Sequence, residues 1–203
     1  MKIAVFSDVH GNLQALKAVL GQIRAKKPDL TVFLGDIFQR GDEETACLDL
    51  LKDSQVICVK GNCELYMEHG VDVDPDVEYL REYYDGMRNK LTDGQMQFIR
   101  EMPLFYEADC LGHRIRFSHF LFSDIRSAYP FLQLSSLKSG EFDRACKSQE
   151  VMGYDLVVIG HSHRNFANGN VVSVSASGLE GASYLLIDVS EDAVGFERFP
   201  TDP

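Results

Sequence analysis

Residues 2–7 read KIAVFS, residues 30–34 read LTVFL and residues 56–59 read VICV. Each is a short apolar run with no polar alternation, the pattern of a strand buried on both faces. Between the first two, Leu13, Leu16, Val19, Leu20 and Ile23 recur at helical spacing, and residues 43–52 read as a second helix. This strand–helix–strand–helix–strand opening predicts a parallel sheet with helices on its faces.

The chain downstream has a different rhythm. Residues 72–84 are acidic and aromatic and residues 92–102 are helical in pattern, so a helical cap-like insertion is expected around 65–102. Residues 105–109 and 114–119 predict a hairpin about Leu111-Gly112. A helix near 140–152, a strand at 156–159 and strand-like runs at 171–175, 184–189 and 194–199 follow. This strand-rich half predicts antiparallel pairs. At 203 residues, 1–203 is read as one domain. The fold class is α/β: two mixed sheets packed together with helices outside.

Lys plus Arg total 20 and Asp plus Glu 31, for a net charge of −11. Such a chain repels nucleic-acid polymers and anionic membrane surfaces, although bound cations can reverse the local field. No apolar stretch approaches the 18 or so residues of a membrane span, and the first run is broken by Ser7 and Asp8, too early for a signal-peptide core. The 5 cysteines show no CxxC spacing, so a reducing, cytoplasmic setting is expected. Oligomeric state is left open, a homo-oligomer included.

The chemistry-bearing residues follow the strands. Asp8 and His10 come after the first, Asp36 after the second and Asn62 after the third; His119 ends the run RIRFSH, and His161 and His163 follow LVVIG. Ligand sites in open α/β sheets gather beyond the carboxyl ends of strands. Carboxylate, imidazole and amide donors without thiolate suit Mn, Fe, Zn or Ni. Seven donors exceed what one ion takes, and a shared carboxylate lets such a set hold two ions about 3.5–4 Å apart.

The ordered series DVH, GD, GNC, SH and GHSH resembles the calcineurin-like metallophosphoesterases, and the opening FSDVHGN is similar to their small bacterial YfcE-like phosphodiesterase branch. The resemblance spans Phe6 to His163. It implies a four-layer α/β/β/α sandwich and a binuclear centre, with manganese the leading ion. By similarity Asp8, His10, Asp36 and His163 would hold one ion, and Asp36, Asn62, His119 and His161 the other. It further implies hydrolysis of a small phosphoester by water activated between the ions, with Asp36, Asn62 and Arg40 as the catalytic set.

Arg40 lies in GDIFQRG, similar to the GDxxDRG motif of Ser/Thr phosphatases, with Gln39 replacing the second aspartate. An arginine fork suits phosphate oxygens, and a solvated loop arginine is the plainer reading. Asn12 is either a substrate contact or, more simply, a helix cap. Cys63 stands where many members have a histidine thought to assist the leaving group; it is read as a small packed residue more readily than as a substrate contact. Phe120 stands where relatives have Gly, and residues 120–131 could wall the site. Two other functions fit the same sequence: a non-catalytic interaction scaffold of this fold, and a Ser/Thr-type protein phosphatase.

Overall fold

In the computed structural model the described residues are 1–71, 75–121 and 151–201. The opening elements are β1 (Lys2–Phe6), α1 (Leu13–Lys26), β2 (Leu30–Phe33), α2 (Glu44–Lys52) and β3 (Ile57–Cys58). β1, β2 and β3 are parallel neighbours, as the apolar runs predict. Asn12 caps α1, its side-chain oxygen accepting the Ala15 N–H at 3.0 Å, and Ala15, Leu16, Val19, Leu20 and Ile23 are the buried face of that helix.

The middle of the chain is helical: α3 (Asn62–His69), a short 3-10 turn (Pro75–Leu80), α4 (Arg81–Arg88) and α5 (Asp93–Glu101). α5 starts at a capping box in which Thr92 and Gln95 satisfy each other's backbone N–H groups. The expected hairpin is β4 (Phe105–Cys110) and β5 (His113–Ser118), paired antiparallel. There follow β6 (Leu156–Ile159), β7 (Phe166–Asn168), β8 (Val171–Ser173), β9 (Ser183–Val189) and β10 (Val194–Pro200).

Two five-stranded mixed sheets result, in the orders β10-β9-β1-β2-β3 and β4-β5-β6-β8-β7. β9 and β10 return antiparallel to close one edge of the first sheet. The alternation of side chains explains why β1 and β2 are apolar apart from Lys2 and Thr31. Ile3, Val5, Val32 and Leu34 face Ile115, Phe117, Leu156 and Val158 in the core between the sheets. Ala4, Phe6 and Phe33 face the helices, in a second core with Leu16, Val19, Leu48 and Met67. The outer face of the second sheet carries Leu121, Val151, Val157, Ile159 and Val171.

The helix expected near 140–152 lies outside the described residues apart from 151 and 152, which form part of a turn; residues 122–131 of the expected wall also lie outside them. Phe120 and Leu121 are described, and both are buried. Among the described residues no helix is long and apolar enough to cross a membrane.

Candidate metal centre

The carboxyl ends of β1, β2, β3, β5 and β6 converge where the two sheets meet. Ser7 forms a parallel bridge with Ala176, and Ser177 N–H donates to the Ser7 carbonyl at 2.8 Å. Gly160 is required there, since a Cβ on it would lie 2.2 Å from Ser7 Oγ. The seven donors read from the sequence are brought together. Ligand atoms of Asp8, His10, Asp36 and His163 lie within 4.8 Å of one another, and so do those of Asp36, His119 and His161. Asp36 belongs to both groups, and Asn62 Oδ1 joins the second at 3.2 Å from His119 Nε2 and 3.0 Å from His161 Nδ1.

Nine non-glycine residues among those described have positive φ. Seven are here: Asp8, His10, Asp36, Gln39, Arg40, His161 and His163. Left-handed backbone costs about 1–3 kcal/mol per residue and persists where the surroundings over-determine it. Such a cluster marks a site shaped for function at the expense of local conformational preference.

The ring nitrogens are oriented from behind. Nδ1 of His10 donates to the Phe38 carbonyl and Nδ1 of His119 to the Leu34 carbonyl, each at 2.8 Å, because a carbonyl can only accept. That leaves both Nε2 atoms facing inward, the arrangement of metal-ligating histidines. His10 Nε2 lies 3.0 Å from His163 Nε2. Among the described residues nothing donates a hydrogen bond to the buried Asp8 Oδ1, with His163 Nε2 at 3.2 Å and His10 Nε2 at 3.8 Å. Lone pairs pointing at one another around an orphaned carboxylate oxygen fit a cation, so the residues present suit divalent ions.

Asp8, Asp36 and His119 are almost wholly buried. Burial alone would push the two carboxyls up, but the neighbouring imidazoles, His119 foremost, outweigh it and hold both below the usual carboxylate range. Burial likewise opposes charge on His119, yet Asp36 and Asp8 lift it to about 9. A proton on His119 and a cation therefore compete for the same field. The raised His119 contributes stability to the ion-free protein that is complete below about pH 6.5 and lost as pH rises through about 9. Over that window the competing proton leaves, so apparent Mn²⁺ affinity is expected to rise roughly tenfold per pH unit and level off beyond it. Calorimetric titration with Mn²⁺ at pH 7 and 8, in buffers of different ionisation enthalpy, checks this; a pH-independent affinity contradicts it.

The sequence reading did not single out Glu64. Its buried carboxylate accepts three backbone N–H groups: Asp36 at 2.9 Å, Ile37 at 2.8 Å and Gly61 at 2.7 Å. It ties the turn after β2 to the start of α3, and in doing so aims Asp36. The tie is tight: a Cβ on Gly61 would lie 2.3 Å from Asp36 Oδ1. The remaining expected contacts are Asn12, Cys63 and Arg40. Asn12 is half-buried and caps α1, its Oδ1 accepting the Ala15 N–H and its Nδ2 donating to the Gly178 carbonyl at 3.1 Å. Cys63 is completely buried, and burial together with Asp36 and Glu64 pushes its thiol well above its ordinary range. Arg40 is exposed at the mouth of a cleft of about 190 Å³ lined by His10, Asp36, Asn62, His161 and His163.

Residues 1–165 match the family model for calcineurin-like phosphoesterases. An uncharacterized protein of Methanocaldococcus jannaschii is 29% identical over 171 residues, 82% of this chain and 64% of that one, so the chain spans less than two thirds of that relative. A hypothetical protein from Pyrococcus horikoshii OT3 superposes with a TM-score of 0.70 at 16% identity, covering 99% of this chain and 88% of that one. YfcE, a phosphoesterase from E. coli, superposes with a TM-score of 0.53 at 18% identity over 100% of both chains. Both structural likenesses are likenesses of fold.

Proposed function

Because the chain belongs to the calcineurin-like phosphoesterase family, we propose that it is a phosphodiesterase dependent on two divalent ions, acting on small phosphoesters in the cleft beneath Arg40. The observation that carries this reading is the pair of ligand groups sharing Asp36. Asp8, His10, Asp36 and His163 would hold one ion, and Asp36, Asn62, His119 and His161 the other. When bound, such ions lower the pKa of water and neutralise charge on phosphoryl oxygens. The Phe38 and Leu34 carbonyls keep His10 and His119 in the tautomer that ligation needs. Arg40 supplies a guanidinium fork for the phosphoryl oxygens.

At about 190 Å³ the cleft is below the usual size of a small-molecule pocket, so it suits a phosphate group with its substituents lying outside. The net charge of −11 favours a small ester over a nucleic-acid polymer. The donor set lacks thiolate and suits Mn²⁺, with Fe, Zn or Ni as alternatives. The test is hydrolysis of bis-p-nitrophenyl phosphate with added Mn²⁺, beside a phosphopeptide and a metal-free control. Diester hydrolysis that requires Mn²⁺ supports the proposal; bound metal without turnover points to a scaffold, and preference for the phosphopeptide to a protein phosphatase.

Cys63 adds a kinetic expectation. A buried thiol held in its neutral form, with its Sγ on the Phe38 carbonyl at 3.4 Å, has no route to protonate a leaving group. General acid assistance is worth about 10²–10⁴-fold, so esters of poor leaving groups suffer most. The p-nitrophenyl diester is expected to be cleaved about 10²-fold faster than the phenyl diester. Equal rates would place an acid elsewhere in the cleft.

A further inference from the structure

The loop carrying Arg40 is held in a costly shape by a residue distant in sequence. Gln39 and Arg40 both have φ of 72°, two consecutive side-chain-bearing residues in the left-handed region. Such a pair is conformationally disfavoured and persists only where contacts outside the loop impose it. Gln39 N–H donates to the Tyr83 hydroxyl at 2.7 Å, and that hydroxyl donates to Glu44 Oε1 at 2.9 Å. Glu44, at the start of α2, is itself buried. Tyr83 lies on α4, so a helix of the cap-like segment reaches across to both ends of the loop.

What the loop presents is Arg40. Among the described residues its guanidinium has no ion pair or hydrogen bond, and it lines both the metal-side cleft and an adjoining cleft of about 300 Å³ lined by Gly11, Asp42 and Gly178. Since no described residue holds the side chain elsewhere, the backbone of the turn sets the direction in which it leaves the main chain. The loop packs directly on the backbone after β1: a Cβ on Gly41 would lie 2.4 Å from the His10 carbonyl oxygen, so only glycine fits there.

We propose that Tyr83 is a positioning residue for the phosphoester: its hydroxyl, bridging Gln39 N–H and the Glu44 carboxylate, holds the left-handed turn that points Arg40 at the substrate. This rests on the phosphoesterase reading of the metal centre. It assigns the cap-like helices a part in substrate binding that no residue of α4 reveals in the sequence. Tyr83→Phe removes only the oxygen; the ring keeps its edge-to-face packing on Tyr84, with centroids 5.0 Å apart.

The experiment compares wild type, Tyr83→Phe, Arg40→Ala and the double variant on bis-p-nitrophenyl phosphate with saturating Mn²⁺, alongside metal content. Tyr83→Phe is expected to raise KM about tenfold, with kcat within a factor of two and metal content unchanged. The double variant is expected to be no worse than Arg40→Ala, because Tyr83 acts through Arg40. A Tyr83→Phe enzyme with wild-type KM overturns the proposal, as do multiplying losses in the double variant, a change confined to kcat, or an Arg40→Ala enzyme with wild-type KM. Wild type that hydrolyses no ester with Mn²⁺ bound instead overturns the phosphodiesterase reading, and this assignment with it.

Discussion

Asp36→Asn is expected to release both ions and to slow diester hydrolysis roughly 10³-fold, about 4 kcal/mol in the barrier. The size of the effect follows from position. Among the described residues Asp36 alone is common to both ligand groups, so its loss would reach both proposed ions directly. Its Oδ1 already accepts the Cys63 N–H at 2.9 Å, and Oδ2 lies 3.5 Å from His119 Nε2. An asparagine in the same pose must keep its oxygen on Cys63 N–H, which turns its NH₂ toward His119 and the ions. That group has no lone pair to offer. The substitution also removes one of the buried carboxylates that draw positive charge into the site. Elemental analysis after gel filtration, with the diester assay on the same sample, decides the matter. Stoichiometric metal and full turnover in the variant would end the two-ion scheme.

Glu64→Gln is expected to lower both stability and metal affinity although Glu64 is not among the ligands. The carboxylate accepts N–H groups from Asp36, Ile37 and Gly61. A glutamine retains one accepting atom and turns an NH₂ onto the others, leaving at least one buried N–H without an acceptor. That costs about 1–3 kcal/mol, and at this chain length Tm falls about 2–4 °C per kcal/mol. Because Asp36 is aimed through its own N–H, metal affinity should drop about 10–100-fold, the usual cost of losing an outer-shell partner. Thermal melts with and without Mn²⁺ separate the two effects; unchanged affinity would show that Glu64 only staples the loop.

The same variant carries a pH signature. Burial and the nearby Asp36 raise Glu64 to about 7, despite its three N–H partners. A carboxyl raised on folding holds its proton longer in the native state than in the unfolded one. Ion-free wild type should therefore lose stability relative to the variant as pH rises from about 4.5 to about 7. Melts of the ion-free proteins across that range test the sign.

Some elements were readable locally and others were not. β1, β2 and β6 announce themselves as short apolar runs, and α1 by its spacing and its Asn12 cap, because burial on both faces or on one stripe leaves a periodic trace. β7 left none: it is three residues long, reads Phe-Ala-Asn and lies at a sheet edge. The run at 171–175 ends as a strand at Ser173, and 56–59 pairs only over Ile57–Cys58, since ladder pairing rather than hydrophobicity sets the limits. The start of α3 at Asn62 was also hidden, because Asn62 reads as a turn residue after glycine.

For the site, the identities of Asp8, His10, Asp36, Asn62, His119, His161 and His163 were legible because each follows an apolar run, and strand ends are a local property. Glu64 and Tyr83 gave no such signal. One looks like an ordinary helix carboxylate and the other like core packing, and only their partners 28 and 44 positions away reveal what they do. Sequence by itself determined most of the strands and helices, β7 and the start of α3 excepted, and the chemical types available at the strand ends, since these depend on neighbours a few residues apart. Tertiary structure alone decided that His163 reaches Asp8 across 155 positions, that Asp36 belongs to both ligand groups, and that Cys63 is completely buried. Those facts depend on how two sheets pack, and packing is set by all of their faces together.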